Sequence, residues 1–175
     1  MNQAPQAENA GSSHLHSEFR VPKSTILLIG VGNEFRSDDG LGPCVMRELQ
    51  RRAFPNVFVA QESGEGTSLM QRWRGATVVL VVDALCSKEP AGSLYRFDAS
   101  ASPLPKSSFQ SSSHEFGLAE GVEMARELKE LPPTLIIYGI VGQSFAPGRG
   151  LSDPVVKSVP ELLSMIEEDL MVFIH

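Results

Sequence analysis

Three acids and one histidine are the side chains of this chain whose types and positions suit chemistry: the adjacent pair Asp38 and Asp39, Asp83 at the end of an apolar run, and His114 after a Ser-rich stretch. Carboxylate oxygens and one imidazole suit a divalent ion of intermediate hardness. Three protein ligands, Asp39, Asp83 and His114, would leave positions open for water or substrate, which is a catalytic rather than a structural pattern. The same trio could equally work as paired acid and base without metal. Each member also has a plainer use. Asp38 or Asp39 can cap the following helix, and one of the pair is expected to do so. Asp83 can anchor the loop Ala84 to Lys88, and His114 can be a residue near a helix start. Yet an acid directly after an apolar strand sits at the rim of a low-dielectric region, where an idle charge is costly.

The segment Ile26 to Gly40, ILLIGVGNEFRSDDG, joins a buried-strand signal to a glycine turn and the acidic pair. Its Gly30-x-Gly32 comes directly after a strand, as in a dinucleotide fingerprint. Phe35 stands where the third glycine belongs, and Asp38 and Asp39 bring negative charge where a phosphate needs bare amides, so nucleotide binding is disfavoured. The glycines instead let Gly30-Val31-Gly32-Asn33 turn sharply and expose the acidic pair at the strand's carboxyl end.

The elements that must position these residues read as alternating strands and helices. Strands are expected at Ile26–Ile29, Val57–Ala60, Thr77–Val82, Ser93–Phe97 and Thr134–Ile140. Helices are expected at Leu41–Ala53, with Leu41, Val45, Leu49 and Ala53 on one stripe, at Gly66–Trp73, and from about Glu115 to Lys129. A last helix carries Val155, Val159, Leu162, Leu163 and Ile166 inward and is kinked or divided by Pro160. The alternation predicts an α/β fold: a three-layer α/β/α sandwich, phosphorylase/hydrolase-like, with a mostly parallel or mixed sheet of about five strands. If the first and central strands are neighbours at the topological switch point, Asp39 and Asp83 face one crevice, and the long loop Ala99–Ser113 brings His114 to it.

At 175 residues one domain is expected, residues 24–175, able to bury roughly two-thirds of its unfolded surface. Residues 1–23 read as a loose tail without a signal-peptide pattern, and its His14-Leu15-His16 lacks apolar surroundings to hold a metal rigidly. Net charge −6 and a pI near 5.2 disfavour nucleic acid and anionic membranes as main partners. Cys44 and Cys86 have no CxxC spacing, so a reducing cytoplasm is expected.

Three blocks, GVGNEFRSDDGLGPCV, VVDALCSKEPAGSLYRFD and SSSHEFGLAEGVEMA, resemble in order and separation the signatures of the hydrogenase maturation endopeptidases. Those enzymes remove a short carboxyl-terminal peptide from the large-subunit precursor of [NiFe] hydrogenase once nickel is inserted. The resemblance implies that Asp39, Asp83 and His114 contact metal, and that Gly32, Asn33 and Asp38 shape the loop. The match at Glu62–Thr67, where the family has a glycine-rich loop, is weaker.

The chain carries no HExxH, no Ser-His-Asp pattern and no cysteine poised beside a histidine. The resemblance implies that nickel arrives on the substrate, with zinc or cadmium able to substitute in vitro, and that the enzyme works as a cytoplasmic monomer on the precursor. A broader metal-assisted peptidase and a non-enzymatic maturation chaperone are the alternatives. Loops Ala99–Ser113 and Val141–Ser152 are the expected docking surfaces.

Overall fold

The computed structural model describes residues 25–105 and 116–174. The amino-terminal tail with His14 and His16, the segment 106–115 with His114, and His175 lie outside the described residues.

Five strands form one mixed sheet in the order β2-β1-β3-β5-β4: β1 is Ile26–Val31, β2 Val57–Glu62, β3 Val78–Leu85, β4 Leu94–Asp98 and β5 Thr134–Val141. All neighbours pair in parallel except β4, which runs antiparallel to β5 at one edge. Strand alternation sorts the apolar residues into two layers. Leu28, Leu80, Val82 and Tyr138 face helices α1 (Leu41–Arg52) and α4 (Asp153–Ile174). Leu27, Ile29, Val79, Val81 and Ile137 face α2 (Gly66–Trp73) and α3 (Leu118–Glu127). The result is the expected three-layer α/β/α sandwich. Among the described residues no helix is long and apolar enough to cross a membrane.

Several element ends differ from the sequence expectation, each for a local reason. β1 runs through Gly30 to Val31 because its backbone stays paired with β2 up to Glu62. β3 continues past Asp83 to Leu85, so Asp83 lies inside the strand rather than ending it; pairing with β5 through Leu85↔Val141 carries the backbone onward whatever the side chain. α3 begins at Leu118, not near Glu115, since Gly117 is extended at φ −98°, ψ −161°. It stops at Glu127, and Lys129 adopts φ +58°, which ends helical winding. Ala53 leaves the α1 stripe as a left-handed cap residue. α4 is one unbroken helix of 22 residues, so Pro160 does not divide it. Proline removes one backbone donor, while burial of Val155, Leu162, Leu163, Ile166 and Leu170 on both sides of it holds the helix to the sheet.

One polar lock ties the antiparallel edge to α4. The buried Tyr138 hydroxyl donates to Asp169, which also takes two bonds from Arg96, Nε to Oδ2 at 2.8 Å and Nη2 to Oδ1 at 3.1 Å. Burial alone would raise the Asp169 carboxyl, but the donors Arg96 and Tyr138 outweigh it and hold it below the usual range. Asp169→Asn should therefore destabilise the fold by about 1 kcal/mol, because it removes the charge that the exposed Arg96 and the buried Tyr138 hydroxyl share as acceptor. Urea denaturation should show a lower midpoint at unchanged slope.

Candidate functional site

β1 and β3 are neighbours, and the chain leaves β1 towards β2 on one side and returns to β3 on the other. This is a topological switch point, where loops part and open a crevice. The β1–β3 ladder ends at Gly30↔Val82, so Asp83 is the first residue of β3 beyond it, paired only with Gly139 of β5. Asp39 lies in a single 3₁₀ turn, Ser37–Gly40, between β1 and α1. Sheet topology thus brings together two acids far apart in sequence.

The two are close enough to disturb each other. Burial comes first and the neighbouring Asp39 carboxylate second in pushing Asp83 up to about 8, against a partial offset from the Ala84 backbone N–H. An acid held this way is uncharged at neutral pH until a cation or a base relieves it. Two carboxylates in that relation are a donor set that suits a divalent cation. Among the described residues no group of three His, Cys, Asp or Glu side chains is arranged to hold a metal, and His114, the third expected ligand, lies outside them.

The turn bearing Asp39 is fixed by its own loop. The Asn33 backbone N–H donates both to the Asp39 carbonyl (3.1 Å) and to its Oδ2 (3.0 Å), while Asn33 Oδ1 accepts from the Phe35 N–H at 2.9 Å. Gly32 has φ +123°, and a Cβ there would sit 2.0 Å from the Asp39 carbonyl oxygen. Only glycine fits that approach.

Asp38 is fully buried and does not cap α1, contrary to the expectation that one acid of the pair would. Its side chain reaches instead across to the loop after β5. Oδ2 accepts from the N–H groups of Gln143 (2.7 Å) and Ser144 (3.0 Å) and the Ser152 hydroxyl (2.8 Å), and Oδ1 from the Ser152 N–H (2.6 Å). Burial opposes its charge, yet these four donors hold the carboxyl below the usual range. Ser144 and Ser152 were missed by sequence reasoning. Nothing local marks them, since their partner lies more than a hundred residues earlier.

Glu62–Thr67, the weaker match to the family's glycine-rich loop, has its acids engaged structurally. Glu62 pairs with Arg72 at 2.5 Å, and Glu65 caps α2 by accepting from Thr67 and Ser68 N–H at 3.0 and 2.8 Å. Phe116, two residues after His114, is fixed at the same sheet edge: its carbonyl accepts from the Gly66 N–H at 3.0 Å, at the start of α2.

Removing the Asp83 charge should stabilise the protein. An unfolded Asp ionises near about 3.9, and the folded one near about 8. Between those values the unfolded chain has lost a proton that the folded chain keeps, so stability falls as pH rises across the window. Asp83→Asn should raise stability by about 1–3 kcal/mol at pH 8 and hardly at all at pH 4, compared by urea midpoints. An equal effect at both pH values would show that the carboxyl is not displaced.

Residues 43–169 match the family model described as hydrogenase maturation protease, a span that includes Asp83 and His114 and begins after Asp39. The hydrogenase expression/formation protein HupD of Thiocapsa roseopersicina is 30% identical over 117 residues, 66% of this chain and 53% of that protein, so the chain spans about half the length of that relative. The hydrogenase 2 maturation protease of Escherichia coli (strain K12) is 26% identical over 145 residues, 81% of this chain and 87% of that one. The solved structure of the hydrogenase maturating endopeptidase HybD from E. coli shares the fold, with a TM-score of 0.70 at 22% identity over 84% of this chain and 92% of that one. With most of its length matched by the family model, the chain belongs to the hydrogenase maturation protease family.

Proposed function

We propose that this endopeptidase removes the carboxyl-terminal peptide of a [NiFe] hydrogenase large-subunit precursor after nickel insertion, and that Asp39, Asp83 and His114 engage the nickel carried by that substrate. The observation that supports this most is the coupling of Asp39 and Asp83 at the switch point, which leaves a half-buried carboxyl in want of a cation. The family relationship supports the precursor as partner.

Nickel beside a scissile bond would supply a Lewis acid that polarises the carbonyl and acidifies a water. The chain's own part is to bind and orient that loaded substrate. Asp83 gives up its proton on engagement, and His114 must be neutral to offer its ring nitrogen. Such a site needs no resident metal, since it completes itself only around a loaded precursor. We further propose a cytoplasmic monomer, with zinc or cadmium able to stand in for nickel in vitro.

A metal-free acid and base is the second reading, favoured by the raised Asp83 beside Asp39, which is how an acid and its partner are poised for proton transfer. Purified protein mixed with nickel-loaded and nickel-free precursor, followed by intact-mass spectrometry, separates the two. Loss of the carboxyl-terminal peptide from the loaded form only is expected. His114→Ala should lower that cleavage by at least about a hundredfold while leaving the thermal midpoint unchanged. Cleavage of both precursor forms would favour the acid–base reading, and cleavage of neither would contradict the protease assignment for this partner.

A further inference from the structure

Phe35 and Arg149 stand beside the acidic crevice on two loops stitched together. The Gly148 N–H donates to the Phe35 carbonyl at 2.9 Å and the Ser37 N–H to the Gly148 carbonyl at 2.9 Å. Arg36 Nε and Nη2 donate to the Phe145 carbonyl at 3.4 and 3.3 Å, and the Ser37 hydroxyl to the Ala146 carbonyl at 3.0 Å. Both loops lie at the carboxyl edge of the sheet, one after β1 and carrying Asp39, the other after β5.

On this rigid seat Phe35 is 52% exposed, although its backbone N–H and carbonyl are both bonded. The Arg149 guanidinium lies over its ring, 4.4 Å from the centroid. Every other arginine among the described residues donates to a carboxylate or a backbone carbonyl. Arg149 has no hydrogen-bond or ion-pair partner among them, and it is exposed. A guanidinium held over an aromatic ring keeps its fork of N–H donors for a carboxylate, and ordering it in advance removes much of the entropy cost of binding one.

We propose that Phe35 and Arg149 form a docking anchor for an acidic segment of the precursor beside the scissile bond, its carboxylate taken by Arg149. The proposal rests on the function proposed above and names how its substrate is oriented. In a chain of net charge −6, the crevice at the end of the β1–β3 ladder carries the acids Asp39 and Asp83 and suits a cation rather than a carboxylate. Arg149 on the adjoining loop presents the opposite sign. A precursor that offers nickel at one point and a carboxylate at another then fits in one direction only, because the reverse placement sets like charges together.

The test measures binding of nickel-loaded precursor, with its carboxyl-terminal extension intact, by surface plasmon resonance, in parallel with cleavage by intact mass. Arg149→Ala should weaken binding about 5- to 20-fold, Arg149→Glu further, and Arg149→Lys less, with Phe35→Ala also weaker. KM should rise and kcat at saturation should hold. Raising salt from about 0.05 to about 0.5 M should weaken the unaltered protein far more than Arg149→Ala. Neutralising the Asp and Glu residues of the precursor segment to Asn and Gln should erase the difference between the two proteins.

Matching thermal midpoints check that the exposed substitutions leave the fold intact. Arg149→Ala and Arg149→Glu that bind and process like the unaltered protein, or a loss that persists with the neutralised precursor, would overturn the anchor. Nickel-independent cleavage that still shows the full Arg149 dependence would overturn the nickel reading and leave the anchor standing.

Discussion

The burial of the Asp83 carboxyl beside Asp39 is the constraint on which the rest of this site depends. Two carboxylates are brought together where one ladder of the sheet ends, and burial denies Asp83 the solvent that would screen its charge. Such an arrangement works against the fold and persists only because the surrounding structure determines it. β3 is held on its other side by β5 through Leu85, so Asp83 cannot swing out without breaking central pairing. Asp39 is held by the Asn33 N–H and by the close approach of Gly32 to its carbonyl.

The acidic pair divides its labour. Asp38 points inward and ties the turn to the loop after β5, while Asp39, one residue on, is left to the crevice. Four donors on one buried carboxylate make the junction stiff, and the stitches from Phe35 to Gly148 extend that stiffness to the rim. The proposed engagement of a metal-loaded partner would gain from such rigidity, because ligand positions set in advance need no reordering on binding.

Much of this was legible in the sequence, and the reasons differ by residue. The continuous apolar runs of β1, β3 and β5 announce strands covered on both faces, and their alternation with helices leaves few topologies. Those topologies imply the meeting of Asp39 and Asp83, which β1 and β3 as neighbours deliver. The inward role of Asp38 was not legible: a helix-capping duty is local, whereas its partners Gln143, Ser144 and Ser152 come after the last strand. The end of β3 was misplaced because a charged residue reads as a boundary, while backbone pairing with β5 does not depend on the side chain. Of the two outcomes open at Pro160, division of the helix does not occur, since burial along α4 outweighs one missing donor. The exposure of Phe35 and the absence, among the described residues, of a hydrogen-bond or ion-pair partner for Arg149 are properties of surface and distance that no spacing encodes.

Carboxyl-carbon NMR titration of Asp83, in the protein as it stands and in Asp39→Asn, tests the coupling at the centre of this account. Asp83 should titrate near about 8 and move towards the ordinary carboxyl range when the Asp39 charge is removed. A midpoint near about 4 in both proteins would show that the two acids neither crowd one another nor hold a place for a cation.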